Sequence, residues 1–309
     1  MDHRPHSVLL RVARAVTMHL STPVAHAICL LLVIADLVAR TYRLQWLTVG
    51  VGSRLTFSES LRINAFADAG STLTPMRVGG EPARLAGMLA CGVPATASFV
   101  AIAYEVITAW PVLIAVGVWV FLGYAPEWWE SAGPQLSASL HKAWPWALAI
   151  AVASAAAWLG ARRVAHALPR QLKRPLSRIR VYWRRMPRWP LFASLPLSFV
   201  NVITRIAILP VLALTLPDPP ALPVLIVGSF ALIYAQLILP TPGGAGAVEF
   251  GFLGGAAGDL GNDGSQLLLA WRIYANGIGT ALGIWLAIRH YGWPAVKEGV
   301  GRTFGSRAG

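Results

Sequence analysis

Apolar residues gather into long runs separated by short polar stretches. The first run, Thr22–Val38 with Met18–Leu20 joined to it, has the roughly 20-residue length that a helix needs to cross hydrocarbon. Comparable runs cover Ala97–Leu122, Pro145–Leu159, Leu191–Leu214, Leu222–Leu239 and Leu267–Ile288. They predict six transmembrane helices, an all-α polytopic membrane protein and a single transmembrane domain over residues 1–309. Polar groups interrupt some of the runs: Asp36 near the end of the first, Glu105 in Ala97–Leu122, Asn201 and Arg205 in Leu191–Leu214, and Arg272 in the last.

Two segments fit neither a plain span nor a loop. The first broken element covers 57–94. Its opening part, Phe57–Pro75, has apolar residues at helical spacing, yet Glu59, Arg62 and Asp68 make it too polar to face lipid on every side. Gly79 and Gly80 then interrupt the chain, and Glu81–Leu89 resumes a helical pattern with Pro82 in its first turn, where proline fits. This stretch is short and polar, as expected of a re-entrant or interfacial helix. The second broken element, 239–258, carries seven glycines in twenty residues together with Glu249. Such backbone breaks are tolerated at membrane depth only where protein or water shields them. The two elements share a pattern, Pro75-Met-Arg-Val-Gly-Gly-Glu81 and Pro242-Gly-Gly-Ala-Gly-Ala-Val-Glu249, which suggests an inverted repeat with a site between the breaks.

Composition strengthens the membrane reading. Hydrophobic residues make up 56% of the 309 positions and charged residues 13%, with a mean hydropathy of +0.57. Soluble domains carry about 25% charge. The net charge of +13 does not point to nucleic acid, because it is concentrated: Arg162–Arg188 holds ten Lys/Arg, and no Asp or Glu occurs from Ser131 to Pro217. A basic stretch between apolar runs reads as a cytoplasmic loop, here 162–189, under the positive-inside rule. With Arg4, Arg11 and Arg14 at one end and a basic tail at the other, both termini are expected in the cytoplasm. An even number of crossings then follows. Cys29 and Cys91 give no disulfide framework. His26 and His166 stand without companions, so no metal site and no cofactor is expected. The tryptophans near run ends suit membrane interfaces.

The motifs TPMRVGGEPARLAGMLACGVP (Thr74–Pro94) and PTPGGAGAVEFGFL carry a family resemblance. The chain resembles the flippase-like membrane domain of the lysylphosphatidylglycerol synthase family; the basic loop, the Asn201/Arg205 run and the WRIY segment fit it too. The resemblance covers nearly the whole chain. It implies a stand-alone member of the bacterial cytoplasmic membrane, because the chain stops about twenty residues after its last apolar run and has no room for the soluble aminoacyltransferase of two-domain relatives. It also implies lipid translocation of flippase or scramblase type, without naming the lipid. Carried onto this chain, the signature positions are Arg77, Glu81, Arg84, Pro242, Gly243, Gly244 and Glu249.

A lipid translocator needs shielded charge on its route. Arg77, Arg84, Arg205 and Arg272 are suited to a phosphate, since a guanidinium donates two parallel hydrogen bonds. Gly79, Gly80 and the Pro242-Gly243-Gly244 turn offer backbone N–H groups to an anion. Glu81, Glu105 and Glu249 can orient the arginines or meet a cationic headgroup. The architectural alternative is that Arg84 pairs with Glu81 on one helix face and Glu105 pairs with Arg205 between helices. The expected partners are membrane lipids with a phosphate-containing headgroup, and additionally a second copy of the chain or a separate lipid-modifying enzyme. No nucleotide-binding, nucleophile-elbow or zinc motif occurs. The competing functions are a membrane enzyme acting on a lipid phosphate and a structural partner of an envelope lipid enzyme.

Overall fold

The structure is a computed structural model and describes residues 19–124, 181–182, 184, 186–236 and 261–291. The elements among them are helical: α1 (Thr22–Gly50), α2 (Phe57–Leu73), α3 (Gly80–Ala90), α4 (Ala95–Tyr124), α5 (Trp189–Ala213), α6 (Leu222–Ala235), α7 (Gly261–Arg272) and α8 (Ile278–Tyr291). A π-helical turn, Ile273–Gly277, joins α7 to α8. Four stretches are long and apolar enough to cross a membrane: Thr22–Gly50, Ala95–Tyr124, Trp189–Ala213 and Asp263–His290. They make this a multi-pass membrane protein. Of the six expected spans, Pro145–Leu159 lies outside the described residues, and Leu222–Leu239 is described as far as Gln236, with α6 covering Leu222–Ala235. The basic loop lies almost wholly outside them, and the second broken element does so entirely.

The long helices turn apolar side chains outward. Leu31, Trp110, Phe121, Leu122 and Phe192 are all more than half exposed, which suits a lipid solvent rather than water. Inside, two apolar clusters hold the bundle. One joins Val33, Val116, Ile206, Leu209, Leu225, Leu232 and Trp271 across α1, α4, α5, α6 and α7. The other joins Leu44, Leu47, Ile63, Met88, Val100 and Tyr104 across α1 to α4.

The first helix departs from the expected boundary. The apolar run ends at Val38, but α1 continues to Gly50 and buries Arg40 and Arg43. Within a bilayer a helix satisfies its own backbone groups, so ending it early would expose N–H and C=O groups at a cost. The two arginines are kept inside by carboxylates on other helices.

Helix α2 is polar because it is shielded by protein. Its start is fixed by a capping box: the Thr56 side chain accepts from the Glu59 N–H, and the Glu59 carboxylate accepts from the Thr56 N–H. It packs between α3 and α8 and also touches α1. Glycines let backbones close in. A Cβ at Gly283 of α8 would run into the Ala65 carbonyl oxygen of α2, and one at Gly279 would sit 2.8 Å from Oδ2 of Asp68. Small residues at such crossings allow close helix contact in membranes.

Candidate functional site

The turn between α2 and α3 carries Arg77 to the end of α6 and to the π turn. Met76 and Arg77 both take left-handed backbone, φ 52° and 57°. This region is unfavourable for residues with a Cβ and is held only where the surroundings over-determine it. Here Thr74 supplies the constraint: its hydroxyl donates to the Gly70 carbonyl at 2.7 Å and accepts from the Gly79 N–H at 2.8 Å. The Arg77 guanidinium then donates to Oε1 of Gln236 at 2.9 Å and to Oδ1 of Asn276 at 3.1 Å, and Asn276 in turn donates to Gln236. Asn276 belongs to the π turn, whose extra residue per turn re-aims side chains.

Arg77 lines a small, partly open pocket together with Asp36, Arg40, Asp68, Thr72, Arg205, Tyr274 and Asn276. Its wall is an ion network. Arg40 grips Asp68 through two parallel bonds, 2.7 and 2.8 Å, and reaches Asp36 one turn back at 3.0 Å. Arg205 reaches the same Asp36 oxygen at 3.3 Å, and Asn201 donates to the other. Helices α1, α2 and α5 are thereby tied together by charge. Tyr274 is steadied by His26, whose Nδ1 lies 2.9 Å from the phenol oxygen.

Residues 8–294 match the lysylphosphatidylglycerol synthase transmembrane region. The chain belongs to that family. The match falls on the family's membrane region, which is distinct from its aminoacyl-transferring domain. No curated protein and no solved structure matches the chain.

A second cluster lies one turn further along α1. Glu105 of α4 accepts from Arg43 through one oxygen and from Arg84 at 2.7 Å through the other. Arg43 also donates to Ser198 of α5 at 3.0 Å. Arg84 meets Glu81 at 3.3 Å, but the Glu81 side chain is 53% exposed against 4% for Glu105. This member of the lysylphosphatidylglycerol synthase transmembrane family thus gathers Arg77, Arg84, Glu105 and Arg205 toward its interior, distributed over two clusters, with Glu81 at the exposed edge of the second. The expected pairing of Glu105 with Arg205 is not what forms: Glu105 belongs to Arg43 and Arg84, and Arg205 belongs to Asp36. The Arg84–Glu81 pair does form.

Gly79 and Gly80 sit at the start of α3, pressed against α2: a Cβ at Gly79 would approach Thr74, and one at Gly80 would run into Ser71. Their role here is close approach. Arg272 ends α7, half-buried, and is not among the cavity-lining residues. Pro242, Gly243, Gly244 and Glu249 lie outside the described residues, as does His166.

Sequence reasoning missed Arg40, Arg43, Gln236 and Asn276, and it treated Asp36, Asp68 and His26 as incidental or merely polar. Arg40 and Arg43 follow the last apolar residue and read as the start of a loop. The usable signal was Asp36 and Arg40 four residues apart, which continues the helix rather than ending it.

Proposed function

We propose that this protein moves a polar or charged lipid across the bilayer, with the headgroup passing through the cavity beside Arg77 while the acyl chains stay in hydrocarbon. The observation that carries this reading is a pocket lined by five charged side chains, set among apolar helices of membrane-spanning length. Charge at that depth is costly and marks a pathway by default. Membership of the lysylphosphatidylglycerol synthase transmembrane family supports lipid as the cargo. The strained Met76–Arg77 backbone and the π turn support a functional role for the place where both meet.

The fuller topology belongs to the same proposal. Six crossings with two broken elements leave both termini on the cytoplasmic side, in a bacterial cytoplasmic membrane. The glycine-rich element 239–258 brings Pro242, Gly243, Gly244 and Glu249 to the same route as the inverted counterpart of 57–94.

The test is dithionite quenching of headgroup-labelled lipids in proteoliposomes. Wild type is expected to expose inner-leaflet label to the quencher. Arg77→Gln, Arg205→Gln and Glu249→Gln, each confirmed as folded by gel filtration, are expected to slow this at least tenfold. If wild type moves none of an anionic, zwitterionic and lysyl-type panel, with or without an imposed gradient, lipid translocation is the wrong function.

A further inference from the structure

Helix α2 buries a polar face that its neighbours leave unanswered. Ser60, Asn64 and Asp68 follow at four-residue spacing and share one side of the helix. Asp68 is gripped by Arg40. Ser60 and Asn64 are fully buried, yet among the described residues the Ser60 hydroxyl and both amide atoms of Asn64 have no hydrogen-bonding partner. What surrounds them follows from the packing. Helices α1 and α2 are joined by the short link 51–56 and run antiparallel, so the Arg40–Asp68 contact sets Leu44 level with Asn64 and Thr48 level with Ser60. On α3, Gly80 lies against Ala67 and Ser71, and Gly87 lies against Ile63. Arg84, between those glycines, is therefore at the height of the α2 turn that holds Asn64. Arg40, Arg43 and Arg84 direct their Nη groups to carboxylates or, for Arg43, also to Ser198. Their Nε–H groups stay buried without an acceptor among the described residues. Six orphaned polar atoms of α1, α2 and α3 thus fall where the two ion clusters approach each other.

Buried polar groups in folded proteins are paired almost without exception, and an amide left dry at membrane depth is costly. Where protein atoms supply no partner, internal water does, provided several polar groups surround it. Here the orphaned atoms include donors (three Nε–H groups and the Asn64 Nδ2) and an acceptor (the Asn64 Oδ1), with the Ser60 hydroxyl able to act as either. Water meets both kinds. A cation would be set among three guanidiniums, and an anion would lie beside the carboxylates of Asp68 and Glu105. We propose that the seam between α1, α2 and α3 holds internal water seated on Asn64 and Ser60. This water joins the Arg40–Asp68 network of the pocket to the Arg43–Glu105–Arg84 cluster. A continuous polar path then runs from the pocket, past Asn64, to the exposed carboxylate of Glu81. The seam is hydrated whatever the pocket carries, so its test is separate from the dithionite assay.

The experiment is hydroxyl-radical footprinting of the purified full chain in detergent, with radicals generated in ¹⁸O-water by a short X-ray pulse and the oxidised residues read by mass spectrometry. Matched pairs supply the comparison. Leu44, beside Asn64, and Leu209, in the other apolar cluster, are both 0% exposed; Ile63 and Ile208 are 1% and 2% exposed. Radicals formed from a bound water attack the side chains next to it, so Leu44 and Ile63 are expected to be oxidised about tenfold faster than Leu209 and Ile208. Asn64→Leu is expected to bring Leu44 down to the rate of Leu209 and to lower the apparent Tm, because it expels the water that the arginine Nε–H groups need. Ser60→Ala, which removes one hydroxyl and keeps the packing, is expected to slow Leu44 oxidation severalfold and serves if Asn64→Leu does not fold. Leu44 and Leu209 oxidised at one rate in wild type would overturn the proposal. So would Leu44 oxidation that either folded variant leaves unchanged. A rise in Tm for Asn64→Leu would also overturn it, since removing a dry, orphaned amide stabilises.

Discussion

Arg84 has two carboxylate partners of very different burial, and this makes a controlled comparison. Glu105 is 4% exposed and also holds Arg43, while Glu81 is 53% exposed and holds Arg84 alone. Replacing Glu105 by Gln leaves two buried guanidiniums without their carboxylate. Breaking a buried pair from one side costs about 3–5 kcal/mol, because the remaining charge is stranded. An exposed pair is worth about 0–1 kcal/mol. At about 2–4 °C per kcal/mol for a large domain, Glu105→Gln is expected to lower the apparent Tm by around 10 °C and Glu81→Gln by no more than about 3 °C. The measurement is the loss of monodisperse protein on gel filtration after a heating series in detergent, at one heating rate because unfolding of such proteins is a rate process. A second Arg84→Gln substitution in the Glu105→Gln background should recover part of the loss, a coupling of about 1–3 kcal/mol. Equal Tm losses for the two glutamates would refute the argument that burial, and not the presence of a pair, sets the cost. A double substitution with strictly additive losses would refute the pairing itself.

Three further outcomes follow from the packing. Gly283→Leu should destabilise by at least about 1–3 kcal/mol, since its side chain must displace the Ala65 backbone of α2; a heating series reads it, and an unchanged Tm would deny the close contact. Met76→Gly should raise stability by about 1 kcal/mol by relieving left-handed backbone at a side chain 46% exposed, and it should leave lipid binding intact because Arg77 stays in place. Thr56→Ala should cost about 1 kcal/mol through loss of the capping box that starts α2, while Thr56→Asp should restore most of it in the same assay.

Much of the architecture was legible in the chain itself, because a bilayer imposes a simple rule: about twenty apolar residues in a row make a helix that crosses. The run from Ala97 to Leu122 and the run from Leu191 to Leu214 lie within the observed α4 and, to a residue, α5. The two motif segments and their order identified the family. The polarity of α2 and the short α3 beside it were also visible, as was the suitability of Arg77, Arg84 and Arg205 for an anion.

What the pattern could not supply was partnership. A charge in an apolar stretch looks alike whether it ends a helix or is paired across the bundle, and the difference lies in residues distant along the chain. Arg40 reads as the end of a span until Asp68, 28 residues away, is found gripping it. Arg205 and Glu105 look like mates until Asp36 and Arg43 are seen to claim them. Gln236 and Asn276 are unremarkable amides until the α2–α3 turn brings Arg77 between them. Helix positions follow from local hydropathy, a property each residue carries alone. Ion pairing is a sum over side chains that only the packed bundle brings within reach of each other.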